Sequence, residues 1–266
     1  MIIGGDPLLK LIAVDWLKAD KAADRISLHP KCLVQSDAGK KLPFILVFNL
    51  QVPAKPNYNL VLYYASSRPV NKDSLLGKFV DGTDAYRDSR FKLIPSIVEG
   101  YWMVKRAVGT KACLLGKAVT CRYLRQDNFL EIDVDIGSSS VARSVIGLVL
   151  GYVTSLVVDL GILIEAKEEG ELPEYVLGTV QLNCIRLDSA VALECKEARG
   201  EKPTSEETFN VECLLQHRRR TAPPPVKPTP DPTSPEKEQS TPPPALEEAL
   251  SSSMDVNRGL ASSFGH

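Results

Sequence analysis

The run SVIGLVLGYVTSLVVDLGILI, from Ser144 to Ile164, holds 21 residues and one charge, Asp159. A hydrocarbon core about 30 Å thick is crossed by about 20 apolar residues in a helix, so length alone allows a membrane span. Gly147, Gly151, Ser155 and Asp159 recur every four residues and would form one stripe of small and polar side chains on a continuous helix. A carboxylate in lipid costs about 2.5 to 3.5 kcal/mol on insertion scales. In a folded domain the same stripe would let the helix approach a sheet and line a cavity beside it. The remaining surface, Val145, Ile146, Leu148 to Leu150, Val153 and Leu156 to Val158, is apolar nearly all round. Such a helix either spans a membrane or sits at the centre of a core.

The flanks favour the core. The sequence on both sides reads as strand, and Ser138 to Ser140 offer helix N-caps. A span would divide one small body into two poor halves. The expectation is therefore an α+β domain, a curved antiparallel sheet packed around one long apolar helix. A single-span protein crossing near 144–164 is the alternative.

Strand signals are plentiful. Phe44 to Leu50 and Tyr58 to Ala65 are rich in aliphatic and aromatic residues, with Pro53 and Pro56 between them, and predict neighbouring antiparallel strands. In the segment 117–137, Val119, Cys121 and Tyr123 alternate with polar residues, as do Leu130, Ile132, Val134 and Ile136. Period two puts each apolar set on one face. A two-residue loop within Gln126 to Asn128 closes this hairpin and sets Arg122 opposite Glu131 or Asp133. Tyr101 to Gly109, Tyr175 to Leu187 and Ala190 to Cys195 are further strand candidates. Asp73 or Ser74 can cap a short helix through Leu75, Leu76, Phe79 and Val80 that Gly82 ends, and a second turn can start at Thr83.

From Ala198 onward the composition changes. Eleven of the 19 prolines lie between Pro203 and Pro244. Such a segment cannot bury enough apolar surface to order itself, so residues 1–197 are read as one domain and 198–266 as a disordered proline-rich tail. In the tail, Thr229, Ser234 and Thr241 each precede proline and are candidate phosphorylation sites. The tail's polyproline stretches suit proline-reading protein partners.

Charge is nearly balanced, 32 basic against 33 acidic residues, which gives no global attraction to nucleic acid. No CxxC pair, dinucleotide fingerprint or phosphate loop occurs, so neither a metal nor a cofactor is expected. Six cysteines without such spacing read as buried hydrophobes in a reducing compartment. Glu131, Asp133 and Asp135 put three carboxylates on one strand face. They form a solvated face or, as a minor alternative, a divalent-cation or acid/base site. Lys105, Arg106, Lys111 and Lys117 are candidate contacts for acidic lipid headgroups.

Long runs, among them LIAVDWLKADK, FNLQVP, YNLVLYYA, SRFKLIPSIVEGYWMVKRAVGTKACLLGKAVTCRYLRQDNFLEIDVDIG and LPEYVLGTVQLN, resemble the C-terminal domain of plant enhanced disease resistance protein two. Full-length members carry pleckstrin-homology and START domains ahead of this module; neither is found here. The resemblance implies phosphoinositide- and endomembrane-associated proteins that restrain cell death. It transfers no catalytic residue. The sequence reading is thus a non-enzymatic lipid- or membrane-associated interaction module in plant defence, cytoplasmic and peripheral at endomembranes or the plasma membrane.

Overall fold

A computed structural model describes residues 3, 4 and 6–193. In chain order its strands and helices are β1 (Ile3–Gly4), β2 (Lys10–Ala19), α1 (Asp37–Lys40), β3 (Phe44–Val52), β4 (Asn57–Ser66), α2 (Leu75–Asp81), α3 (Asp84–Asp88), β5 (Phe91–Glu99), α4 (Trp102–Val108), β6 (Cys113–Leu114), α5 (Leu115–Ala118), β7 (Thr120–Gln126), β8 (Phe129–Asp135), α6 (Ser140–Tyr152), β9 (Val157–Ile164), β10 (Glu174–Asn183) and β11 (Val191–Ala192). They build two sheets, one in the order β1-β10-β9-β5-β6 and one in the order β11-β2-β4-β3-β8-β7.

The α+β class holds, but the arrangement differs from the expectation. Two open sheets share one core, and no helix runs through it. Leu46, Phe48, Leu62, Leu130 and Ile132 of the larger sheet meet Phe91, Leu160, Ile162, Ile164 and Leu177 of the smaller one. Phe91 touches Phe48 edge-on, with ring centroids 5.5 Å apart, the arrangement that aromatic quadrupoles favour. Nor are the sheets purely antiparallel: β3–β8, β1–β10 and β2–β11 are parallel pairs.

The long apolar run breaks in two. α6 ends at Tyr152, a 3-10 turn covers Val153–Ser155, and β9 begins at Val157. The second half is dense in branched residues, Val157, Val158, Ile162 and Ile164, which suit a pleated surface better than a helix. β9 lies between β10 and β5, so its backbone is paired on both edges. No helix among the described residues is long and apolar enough to cross a membrane. The continuous helix and the span near 144–164 are both excluded by this break. The N-cap expectation survives: the Ala142 N–H donates to the Ser139 hydroxyl at 3.3 Å.

Other local expectations hold. β3 and β4 are antiparallel neighbours, with Phe44 opposite Ser66 and Val52 opposite Tyr58. The β7–β8 hairpin turns through Asp127 and Asn128 and sets Arg122 opposite Asp133. Ser74 caps α2, Gly82 follows it, and Thr83 caps α3. Tyr101 to Gly109 is a correction: Trp102–Val108 is a helix whose buried side is Met103 and Val104.

β3 and β8 are buried on both faces because the segment 20–42 crosses the larger sheet on the side away from the shared core. Ile26, Cys32 and Val34 of that segment pack on Val47, Val61, Tyr63 and Phe129. This strap was not visible in the sequence as a cover for the sheet.

Gly178 sits at a bulge in β10, where a Cβ would stand 2.3 Å from the Tyr64 ring. Tyr64 is 1 % exposed and has nowhere to move. The variant G178A is therefore expected to lose about 1 to 3 kcal/mol through overpacking. Urea unfolding measures this as a lower midpoint at unchanged slope; an unchanged midpoint would refute the close approach.

Candidate functional site

The three strand carboxylates do not act together. Glu131 and Asp133 point under the strap and are 0 % and 2 % exposed, whereas Asp135 is half-buried at the end of β8. The solvated face expected from the sequence is therefore a buried one. Strap backbone satisfies it: Ile26 N–H donates to Glu131 Oε1 at 2.7 Å, Ser27 N–H to Glu131 Oε2 at 3.0 Å, and Arg25 N–H to Asp133 Oδ2 at 3.1 Å. The Ser27 hydroxyl also donates to Glu131, and Asn49 Nδ2 donates to Asp133 Oδ1 at 2.7 Å. Arg25 has φ 56°, and Ile26–Leu28 is a 3-10 turn. Successive N–H groups in such a conformation converge on an anion, here supplied by the protein's own β8. Burial first, then the neighbouring Asp133, pushes Glu131 up to about 8, and burial raises Asp133. Among the described residues no group of three His, Cys, Asp or Glu side chains could hold a metal ion.

The proposed stripe on the long helix is also dispersed. Gly147 and Gly151 are exposed on α6, and a Cβ on either would meet nothing within 4 Å. Ser155 is in the following turn. Asp159 is on β9, accepting from Gln181 Nε2 at 2.9 Å. These four residues do not form one helix stripe, because the helix that would align them ends at Tyr152.

What α6 does instead is bridge the two sheets at one end. Ile146 and Leu150 pack on Val52, Tyr58 and Ala190 beside the larger sheet. Leu148, Val149 and Tyr152 pack on Ile97, Val104 and Leu156 beside the smaller one. No α6 residue is fully buried. The helix is thus apolar yet partly open to solvent.

α4 lies alongside it. The chain turns from β5 into α4 at Gly100, whose φ of 140° and 2.2 Å approach of a built Cβ to Leu156 Cδ2 admit only glycine. This turn presents Tyr101 and Trp102 outward, 43 % and 59 % exposed. Tyr101 stacks on Tyr152 of α6 with centroids 5.5 Å apart and lies 6.0 Å from Trp102. Two large exposed aromatic side chains therefore stand together at one rim. The indole of Trp102, free in the sequence to be a core residue, is the most exposed large hydrophobic among the described residues.

The basic candidates divide. Lys105 and Arg106 are on α4 and exposed; Lys105 Nζ donates to the Val98 carbonyl at 2.8 Å. Lys111 is exposed in the loop that follows. Lys117 belongs to α5, which follows β6, and β6 pairs with Lys92 and Leu93. That is the opposite end of β5 from α4, about 20 Å away at strand rise, so Lys117 does not join the group. Thr229, Ser234, Thr241 and the tail from 198 lie outside the described residues.

The family model "Protein ENHANCED DISEASE RESISTANCE 2, C-terminal" matches residues 2–186. The chain belongs to that family. Within it, a curated Arabidopsis thaliana relative, "Protein ENHANCED DISEASE RESISTANCE 2-like", is 46 % identical over 190 residues, which is 71 % of this chain and 26 % of the relative. The chain thus spans about a quarter of that protein's length. No solved structure matches it. In this chain the matched residues form two facing sheets.

Trp102 is expected to be dispensable for folding. Exposed positions away from caps and ion networks usually change stability by less than about 0.5 kcal/mol, so W102S should melt within about 3 °C of the parent. A large loss of thermal stability would show that the indole is a core residue in solution.

Proposed function

We propose that this domain is a non-enzymatic, membrane-associated interaction module in plant disease resistance, and that it meets the membrane through the α4–α6 rim. The observation that carries this reading is the pair of exposed aromatics Tyr101 and Trp102 at the start of α4, with Lys105 and Arg106 exposed on the same helix. Trp and Tyr favour the zone between water and hydrocarbon, where the ring is half wet and half apolar. Basic residues near an anionic surface add about 1 kcal/mol each. Membership of a family named for disease resistance supports the biological setting.

Such docking is peripheral. The apolar end of a folded domain rests in the headgroup region, as interfacial amphipathic elements do, and no helix among the described residues is long and apolar enough to cross. The non-enzymatic reading is supported by the fate of the carboxylates, the one catalytic alternative in the sequence. Glu131 and Asp133 spend their oxygens on strap backbone N–H groups.

Vesicle co-sedimentation of the full chain tests the proposal. It should bind vesicles of phosphatidylcholine with phosphatidylserine more tightly than phosphatidylcholine alone. The double variant Y101A/W102A should lose at least about tenfold in partitioning, and K117A, at the far end of β5, should bind as the parent does. Absence of binding to either vesicle, or a double variant that binds undiminished, would refute it.

A further inference from the structure

Glu131 and Asp133 sit two residues apart on one face of β8, both buried, with their carboxyl groups within hydrogen-bonding reach of each other. Two carboxylates have no hydrogen to share. A bond between them needs one proton, and the donors around them, three backbone N–H groups, one hydroxyl and one amide, are uncharged. The other titratable groups that face the pair do not remove this need. From the strap come Asp24, 3.4 Å from Arg122 of β7, and Cys32. From the larger sheet come Tyr63 of β4, which donates to Asp15 of β2 at 2.8 Å, and Asp15 itself. Asp24 and Asp15 are further anions, and burial holds Cys32 as a thiol, pushed up to about 11.

We propose that Glu131 and Asp133 form a one-proton clasp that holds the strap to the larger sheet, so that opening the strap at Arg25–Ser27 is coupled to release of that proton. Opening frees both carboxyls into water, where a glutamate returns to its ordinary value of 4.5; closed, Glu131 keeps its proton up to about 8. The closed state therefore binds the extra proton between these limits. Its advantage is full below about pH 4.5 and falls as pH rises toward 8, by the linkage of proton uptake to conformation. Opening would uncover Val47, Val61 and Tyr63, an apolar sheet face that Ile26, Cys32 and Val34 cover. The left-handed Arg25 is a strained non-glycine position that persists because its surroundings over-determine it, which makes it the natural place for the strap to part.

Amide hydrogen exchange on the full chain, read by mass spectrometry for peptides covering 24–28 and corrected for the intrinsic pH dependence of exchange, tests the clasp. Protection at these amides should fall by about tenfold per pH unit between pH 5.5 and 7.5. In E131Q the amide donates a hydrogen to Asp133 without titrating, and the corrected protection should be flat. If E131Q fails to fold by far-ultraviolet circular dichroism, the double variant E131Q/D133N, which leaves neither group to titrate, must give the flat profile. Flat protection in the parent, or the parent's slope retained in the folded variant, would overturn the proposal.

Discussion

The whole arrangement depends on β9 being a central strand. It pairs with β10 on one edge and β5 on the other, and its inward side chains Leu160, Ile162 and Ile164 join Phe91 and Leu177 in the smaller sheet's part of the shared core. Burying a side chain of this kind contributes about 1.5 to 3 kcal/mol. Once Val157 to Ile164 is committed to the sheet, the preceding apolar residues have no core left to enter. They coil into α6 and close the end of the sandwich, where each face can be covered only in part.

That partial cover links fold to function. α6 is apolar because it packs on Tyr58 and Val52 to one side and on Val104 and Leu156 to the other. Its remaining surface, with the α4 aromatics stacked beside it, is left at the rim. A surface of this composition is costly in water unless it serves an interface. The glycine at 100 is the hinge of the arrangement, since it alone allows the chain to double back over Leu156 and set Tyr101 and Trp102 outward.

Much of this was legible in the sequence, and the failures have physical causes. The β3–β4 pair declared itself through runs of aliphatic and aromatic residues punctuated by Pro53 and Pro56, and the β7–β8 hairpin through period-two alternation, which specifies face and register together. Serine and threonine caps fixed the starts of α2, α3 and α6. The break in the apolar run was hidden because continuous hydrophobicity carries no period, so helix and buried strand look alike until tertiary pairing decides. Its branched residues after Val157 were the available signal. The buried carboxylates were misread for a related reason: alternation tells which face a residue takes, not whether a distant segment covers that face. Nothing local in residues 20–42 announces that they cross the larger sheet. The aromatic rim was missed because Tyr101 to Gly109, a short run bounded by Gly100 and Gly109, passes for a strand, whereas Val104 and Val108, four apart, meet Leu156 and α6.

The division of the apolar run is measured most directly by backbone Cα and Cβ chemical shifts of Ser140 to Ile164 in isotopically labelled protein. The account predicts helical deviations through Tyr152, a short irregular stretch at Val153 to Leu156, and strand deviations of opposite sign from Val157 to Ile164. Helical deviations running unbroken to Ile164 would contradict it.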